Sequence, residues 1–518
     1  MRQSILGMTC RGMLALIAVC AMLVGGCGGS GGGSSTGGKP TEGGTLRLAM
    51  TGEPTNLNPQ QAIDQPAIYT VSQINEPLFR TDADSQVVPW LLKSATHSAD
   101  GLTWTLKLRP GVKFSNGQPL TAEDVVFSID AVRESVNWSF MYEAIDSVRA
   151  VSPTTVELSL SEPMAALESA LSLYASGVVP AGYAGMSPKQ FAQRPIGTGP
   201  FVLEKWSKGR SLTLARNADY WQPGKPFLDK VVISSVPDDN SRVAQLRGGQ
   251  LDVVATPPWS QLDGLRSTPG LRVGEYSLAR ADYVMLNLAE PLFEDPRVRE
   301  AASLALDRSG VVEAALAGNG KVGGSWLPEA LLYADHGIKP PTRDVAKAKR
   351  LLSEAVAERG LSPALTLILT AGDTYAQTAG QIVQQDLEEV GFKVELQPLD
   401  EAAILSQLAA GEYQAAILAL QSDIVDPSEL VSFYTATGSY YTGAPTEAVG
   451  KLGAEGAAAL DDEKRRQIYA EIQRQVGDEN NLLTMDYQPF VWAMNDKVAG
   501  FEINATGIPW LADTGFNE

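Results

Sequence analysis

Apolar and polar residues alternate along residues 103–109 (TWTLKLR), which puts Trp104, Leu106 and Leu108 on one face and predicts a half-buried strand. Pro110-Gly111 ends it, and Ser115-Asn116-Gly117-Gln118 predicts a tight turn. The period then lengthens. Val125, Ile129 and Val132 share one face of a helix opened by Thr121, with Asp124 as reciprocal partner in a capping box. Asp295-Pro296 predicts the cap and first position of another helix. Its buried stripe is Val298, Ala301, Ala302 and Ala305, small enough for close packing. Residues 345–357 predict a helix with Leu351, Leu352 and Ala355 inside; 378–390 predict one stopped by Gly391; 392–396 then alternate as a strand. Helix followed by strand, repeated, predicts an α/β body.

The N-terminus breaks this pattern. Arg2 and Arg11 precede a continuous apolar run at 13–24 (MLALIAVCAMLV). That run is shorter than the roughly 20 residues of a spanning helix and has the length of a signal-peptide core. Val24-Gly25-Gly26-Cys27 resembles the lipobox of bacterial lipoproteins, which implies cleavage before Cys27 and a diacylglyceryl group on its thiol. Cleavage would remove Cys10 and Cys20 and leave one cysteine without a disulfide partner, which lipidation explains. The alternative is an uncleaved anchor helix; either way the body faces outward. Residues 28–38 (GGSGGGSSTGG) read as a flexible tether, and the G-x-S-x-G match inside it lacks the strand and helix of a nucleophile elbow.

Composition narrows the classes. A chain of 518 residues is too long for one ordinary core, so two or three domains are expected. A net charge of −19 disfavours nucleic acid and anionic headgroups as partners. The two histidines, His97 and His336, and the loss of any cysteine nucleophile leave a histidine triad or a zinc site poorly supported. A carboxylate-based hydrolase stays open as a distant alternative, with no spacing that singles out a pair. No enzyme activity, metal or cofactor is expected.

Four ordered stretches carry a resemblance. They are 102–130 (LTWTLKLRPGVKFSNGQPLTAEDVVFSID), 195–201 (PIGTGPF) with 216–221 (RNADYW), 239–253 (DNSRVAQLRGGQLDV) and 283–307 (YVMLNLAEPLFEDPRVREAASLALD). Over nearly the whole mature length the chain resembles the family 5 extracellular solute-binding proteins of peptide-type ABC importers, the dipeptide- and oligopeptide-binding lipoproteins. The resemblance implies a two-lobed periplasmic-binding-protein-like α/β fold (class II/cluster C type) with an extra domain inserted in lobe one. Carried over, 1–26 is signal peptide and 27–40 the lipidated Cys27 and tether. Residues 41–80, 196–284 and 485–518 form lobe one, 81–195 the insertion and 285–484 lobe two. Crossings near 283–288 and 485–488 act as hinges. The implied function is capture of a peptide between the lobes and delivery to ABC transporter permease subunits, by a monomer anchored through lipid on the outer face of the cell membrane. A non-peptide solute (oligosaccharide, opine, haem or metal chelate) is the alternative.

The resemblance also implies a site. In peptide binders a lobe-two Asp pairs the ligand's α-amine, three positions after a Trp. In 419–427 (ALQSDIVDP), Asp423 falls where that carboxylate belongs, and Leu420 stands where the Trp is usual. Gln421 and Ser422 lie between them. The other reading of Asp423 is ordinary turn chemistry. Asp426-Pro427-Ser428-Glu429 reads as a helix start with a capping Glu. Glu53 and Asn56, in the loop 52–59, are candidates for ligand polar contacts or for turn chemistry beside two prolines. Trp259 and Trp492 are cleft aromatics or core residues. The glycine-rich 197–201 lacks the Lys and spacing of a phosphate loop and reads as a structural turn.

Overall fold

The computed structural model describes residues 38–435 and 447–517. The expected signal peptide, Cys27 and nearly all of the tether therefore lie outside the described residues. Among the described residues no helix is long and apolar enough to cross a membrane.

Two large mixed sheets organise the body. The first runs, edge to edge, Leu271–Tyr276, Phe490–Asn495, Val253–Ala255, Thr45–Met50, Lys230–Ser235, Ser211–Arg216 and Phe201–Ser207. Thr45–Met50 pairs in parallel with Lys230–Ser235 and Val253–Ala255, and the remaining pairs are antiparallel. The second sheet runs Lys321–Val322, Leu482–Tyr487, Arg280–Leu286, Ala415–Gln421, Ala364–Thr370 and Lys393–Leu399. Within it, Ala364–Thr370 is parallel to both neighbours. Arg280–Leu286 is buried at every position after Arg280 because both its faces are covered. Val284 and Leu286 pack with helices Pro296–Ala305, Val345–Arg359 and Thr374–Val390. Tyr283 and Met285 pack with Glu401–Ala410, Ser428–Thr435 and Asp462–Glu479. The two-lobed α/β architecture implied by the resemblance is the one the chain adopts.

The chain passes between the sheets twice, over residues 277–279 and at Gln488-Pro489. The first crossing lies ahead of the expected 283–288, and the second falls at the end of the expected 485–488. Tyr283 and Val284 sit mid-strand in the second sheet, which begins at Arg280 because Arg280 pairs with Gln421 and Asp282 with Asp486. Met485 likewise lies within Leu482–Tyr487. A separate antiparallel sheet, in the order Leu92–His97, Thr103–Leu108, Thr155–Leu160, Ile145–Ser152, falls inside 81–195. Its Trp104 and Leu106 belong to the same apolar cluster as Leu46 and Leu48 of the first large sheet. The border drawn at 80/81 cuts a hairpin, since Phe79–Thr81 pairs with Val87–Pro89.

Local signals act largely as their chemistry predicts. Trp104, Leu106 and Leu108 are buried on one strand face. Thr121 donates its N–H to Asp124 at 2.8 Å at the start of Ala122–Arg133. Asp295 caps Pro296–Ala305 by accepting from the Arg297 N–H at 2.9 Å. The helix expected from Thr378 begins earlier, at Thr374, because Asp373 caps it. Two family-like stretches meet on one fully buried carboxylate, Glu76. It accepts from Thr198 Oγ1, Tyr220 Oη and Trp90 Nε1 at 2.8 Å and from Trp221 Nε1 at 2.9 Å. Burial pushes its pKa up while the four donors pull the other way. A Cβ at Gly197 would sit 1.9 Å from the Ile74 carbonyl oxygen, so the 197–201 turn is glycine-rich to let two backbones touch.

Candidate functional site

Four strands that run in parallel pairs end at one place. Thr45–Met50 leads to Thr51, Val253–Ala255 to Thr256, Ala364–Thr370 to Asp373 and Ala415–Gln421 to Asp423, and all four of these following residues line a cavity of about 800 Å³. Such a crevice beyond carboxyl ends of strands is the usual ligand position in open α/β sheets. Leu278, Gln488 and Pro489 of the two crossings line it as well, so it lies between the lobes. The first lobe contributes Ile68 and Tyr69 from helix Gln65–Ile74, the loop around Trp259, and Phe490. The second contributes Arg280, Asp373, Tyr375, Gln421 and Asp423. Away from the cavity lining, Ala165 N–H donates to the Ala457 carbonyl at 2.8 Å and Phe140 packs on Phe433 at 5.6 Å, linking the inserted sheet's region to the second lobe.

The loop carrying Asp423 is built on a buried acid. Glu429 Oε2 accepts from Ser422 Oγ at 2.7 Å, Asp423 N–H at 2.9 Å and Ile424 N–H at 3.3 Å. It therefore folds back on the loop rather than capping the helix as the sequence suggests. Asp426 does cap, accepting from Ser428 N–H at 3.0 Å, and it also holds Arg465 through two bonds of 2.8 and 2.9 Å. Asp423 differs from both. Among the described residues its carboxylate accepts no hydrogen bond and meets no cation, while its backbone is fixed on Glu429. Burial raises the pKa of Asp423, and burial together with the Asp423 charge raises that of Glu429.

The remaining expected residues divide. Gln421 and Trp259 line the cavity. Ser422 is fully buried and serves Glu429. Leu420 is a core residue that borders a neighbouring side compartment rather than the main cavity. Trp492 is fully buried and packs on Tyr69, Phe490 and Phe501 at 5.8, 5.6 and 5.3 Å, so it belongs to the core. Glu53 accepts from Gly209 N–H at 2.7 Å, tying two loops. Asn56 accepts from Asn58 N–H at 2.7 Å and donates to Gln61 at 3.0 Å, the turn chemistry left open above. Neither Glu53 nor Asn56 lines the cavity.

Sequence reasoning missed Arg280, Asp373, Tyr375, Asp239 and Arg242. Arg280 opens a strand beside a crossing, and its Nη2 donates to Asp282 at 3.2 Å. Tyr375 donates to Asp486, whose pKa burial raises first and the Asp282 charge second. Asp239 lies in the 239–253 stretch, where its neighbourhood to the cavity had no separate signal. Among the described residues no group of His, Cys, Asp or Glu is placed to hold a metal ion.

A cavity lined by two short crossings and by two α/β lobes is the arrangement of a protein that holds a solute. The family model for bacterial extracellular solute-binding proteins, family 5 Middle, matches residues 86–442, and the chain belongs to that family. It is a solute-binding protein of the ABC importer type rather than an enzyme. It is 31% identical over 349 residues to the glutathione-binding protein GsiB of Escherichia coli O1:K1 / APEC, covering 67% of this chain and 68% of that one. The structure of the ABC transporter substrate-binding protein CtaP from Listeria monocytogenes matches with a TM-score of 0.82 and 26% identity, over 92% of this chain and 100% of that chain. The periplasmic binding protein DppA from Helicobacter pylori, in complex with the peptide STSA, matches with a TM-score of 0.77 and 24% identity, over 92% and 99%.

Proposed function

We propose that this protein captures a peptide in the interlobe cavity and delivers it to the permease subunits of an ABC importer, held to the outer face of the cell membrane by lipid on Cys27. The observation that carries the ligand class is Asp423, a carboxylate facing a cavity of about 800 Å³ with no partner among the described residues. A buried charge without a partner is costly, so the site is completed by a cation. The α-ammonium of a peptide supplies that cation, and the peptide backbone can add further bonds like an extra strand. The cavity volume suits a small ligand. GsiB and DppA, named for glutathione binding and solved with a peptide respectively, support the same class.

Native mass spectrometry of freshly purified protein tests the reading. The expected result is a set of retained masses that fragment as peptides. Retained sugar or metal chelate with no peptide would overturn it.

A further inference from the structure

The charges lining the cavity are unequally matched. Arg242 is committed: it donates to the Val236, Pro237 and Thr256 carbonyls at 2.8, 3.0 and 3.2 Å and to Asp239 at 2.6 Å. Arg280 is held by Asp282 at 3.2 Å. Among the described residues no lysine and no other arginine lines the cavity, and residues 436–446 (ATGSYYTGAPT) contain neither. Against them stand Asp423, without a partner among the described residues, and Asp373, which caps a helix by accepting from the Ala376 N–H and lies within the field of Arg280.

A side compartment of about 430 Å³ shares Arg280, Asp373, Tyr375 and Gln421 with the main cavity. It adds Asp282 and Glu401 as acids, and Ile404, Leu405 and Leu408 as an apolar wall. Leu405 is half exposed. Acid at the end of an apolar strip is what a long cationic side chain needs, since its methylenes cover carbon while its head group reaches a carboxylate. Asp282 is already engaged by Arg280, which leaves Asp373 and Glu401 for a ligand.

We propose that the cleft selects peptides of net positive charge, with the α-ammonium at Asp423 and a lysine- or arginine-type side chain over Leu405 and Leu408, its head group between Asp373 and Glu401. This rests on the reading of the chain as a peptide binder and goes further, because it sets the ligand's charge. It also separates this chain from its glutathione-binding relatives. Glutathione carries two carboxylates and one ammonium at neutral pH, and each arginine at the cavity already faces a carboxylate, Arg242 on Asp239 and Arg280 on Asp282.

Calorimetric titration of the full chain with tetraalanine, with tetraalanine bearing one lysine, one arginine or one glutamate at an inner position, and with reduced glutathione tests this. The lysine and arginine peptides are expected to bind about tenfold or more tighter than tetraalanine. The glutamate peptide and glutathione are expected to bind more weakly than tetraalanine. Asp373→Asn and Glu401→Gln should each shrink the ratio of lysine-peptide to tetraalanine affinity. Equal or tighter binding of the neutral or acidic peptides overturns the charge selection and leaves the peptide reading standing. A ratio unchanged in both variants overturns the side-compartment assignment. Failure of every peptide to bind overturns the peptide reading itself.

Discussion

Asp423 and Glu53 are both acidic loop residues, and their surroundings give them opposite roles. Glu53 Oε2 already accepts a loop N–H at 2.7 Å, whereas the Asp423 carboxylate meets only the cavity. Asp423→Asn should therefore weaken peptide binding by about 1.5–3 kcal/mol, the scale of a hydrogen bond to a charged group. Glu53→Ala should leave affinity within about twofold, checked by the same titration at matched pH. Equal losses in both variants would remove Asp423 as the ammonium site. That Asp423 lines the cavity was reachable from sequence because it follows the end of a strand, Ala415–Gln421, by two positions. Trp492 could not be resolved that way. Every residue of 490–494 is apolar, so the two-residue period that tells the core face from the cleft face is absent, and it is Phe490 that meets the cavity.

At the scale of elements, the strands Arg280–Leu286 and Leu482–Tyr487 set Asp282 and Asp486 opposite one another. Each carboxylate keeps one buried oxygen without a partner, Asp282 Oδ2 and Asp486 Oδ1. Burial raises both pKa values, that of Asp486 from 3.8 to about 8, which favours the protonated form of the pair. The sign follows: the folded state holds a proton that the unfolded chain has released. Stability from this pair is complete below about pH 4 and declines as pH rises to about 8. Asp486→Asn should flatten that decline, by roughly 1–3 kcal/mol across the interval. Urea unfolding at pH 5, 7 and 9 measures it; parallel losses in wild type and variant would mean the pair is ionised throughout. Helices with caps, such as the one after Asp295, were legible because a cap is a local contract between a side chain and three N–H groups. The pairing of Asp282 with Asp486, about two hundred positions apart in the chain, was not, because register between distant strands is set by tertiary packing.

Across the whole molecule, the two-lobed architecture was legible from four ordered stretches, while its borders moved by several residues to 277–279 and 488–489. Apolar strands buried on both faces run on without a sequence mark where one sheet yields to the other. The net charge of −19 over the whole sequence disfavours a body that lies on anionic headgroups. Cys27→Ala should move the protein from the membrane fraction to the soluble fraction, followed by fractionation and by loss of labelled fatty acid; a variant that stays membrane-bound and labelled would refute lipid attachment there. The two contacts between the inserted region and the second lobe have a different consequence. Ala165 with Ala457 and Phe140 with Phe433 lie away from the solute, yet both must part before the jaws spread. Phe140→Ala is therefore expected to raise the dissociation rate of a bound solute in stopped-flow measurements while leaving the ratio of affinities for different solutes unchanged.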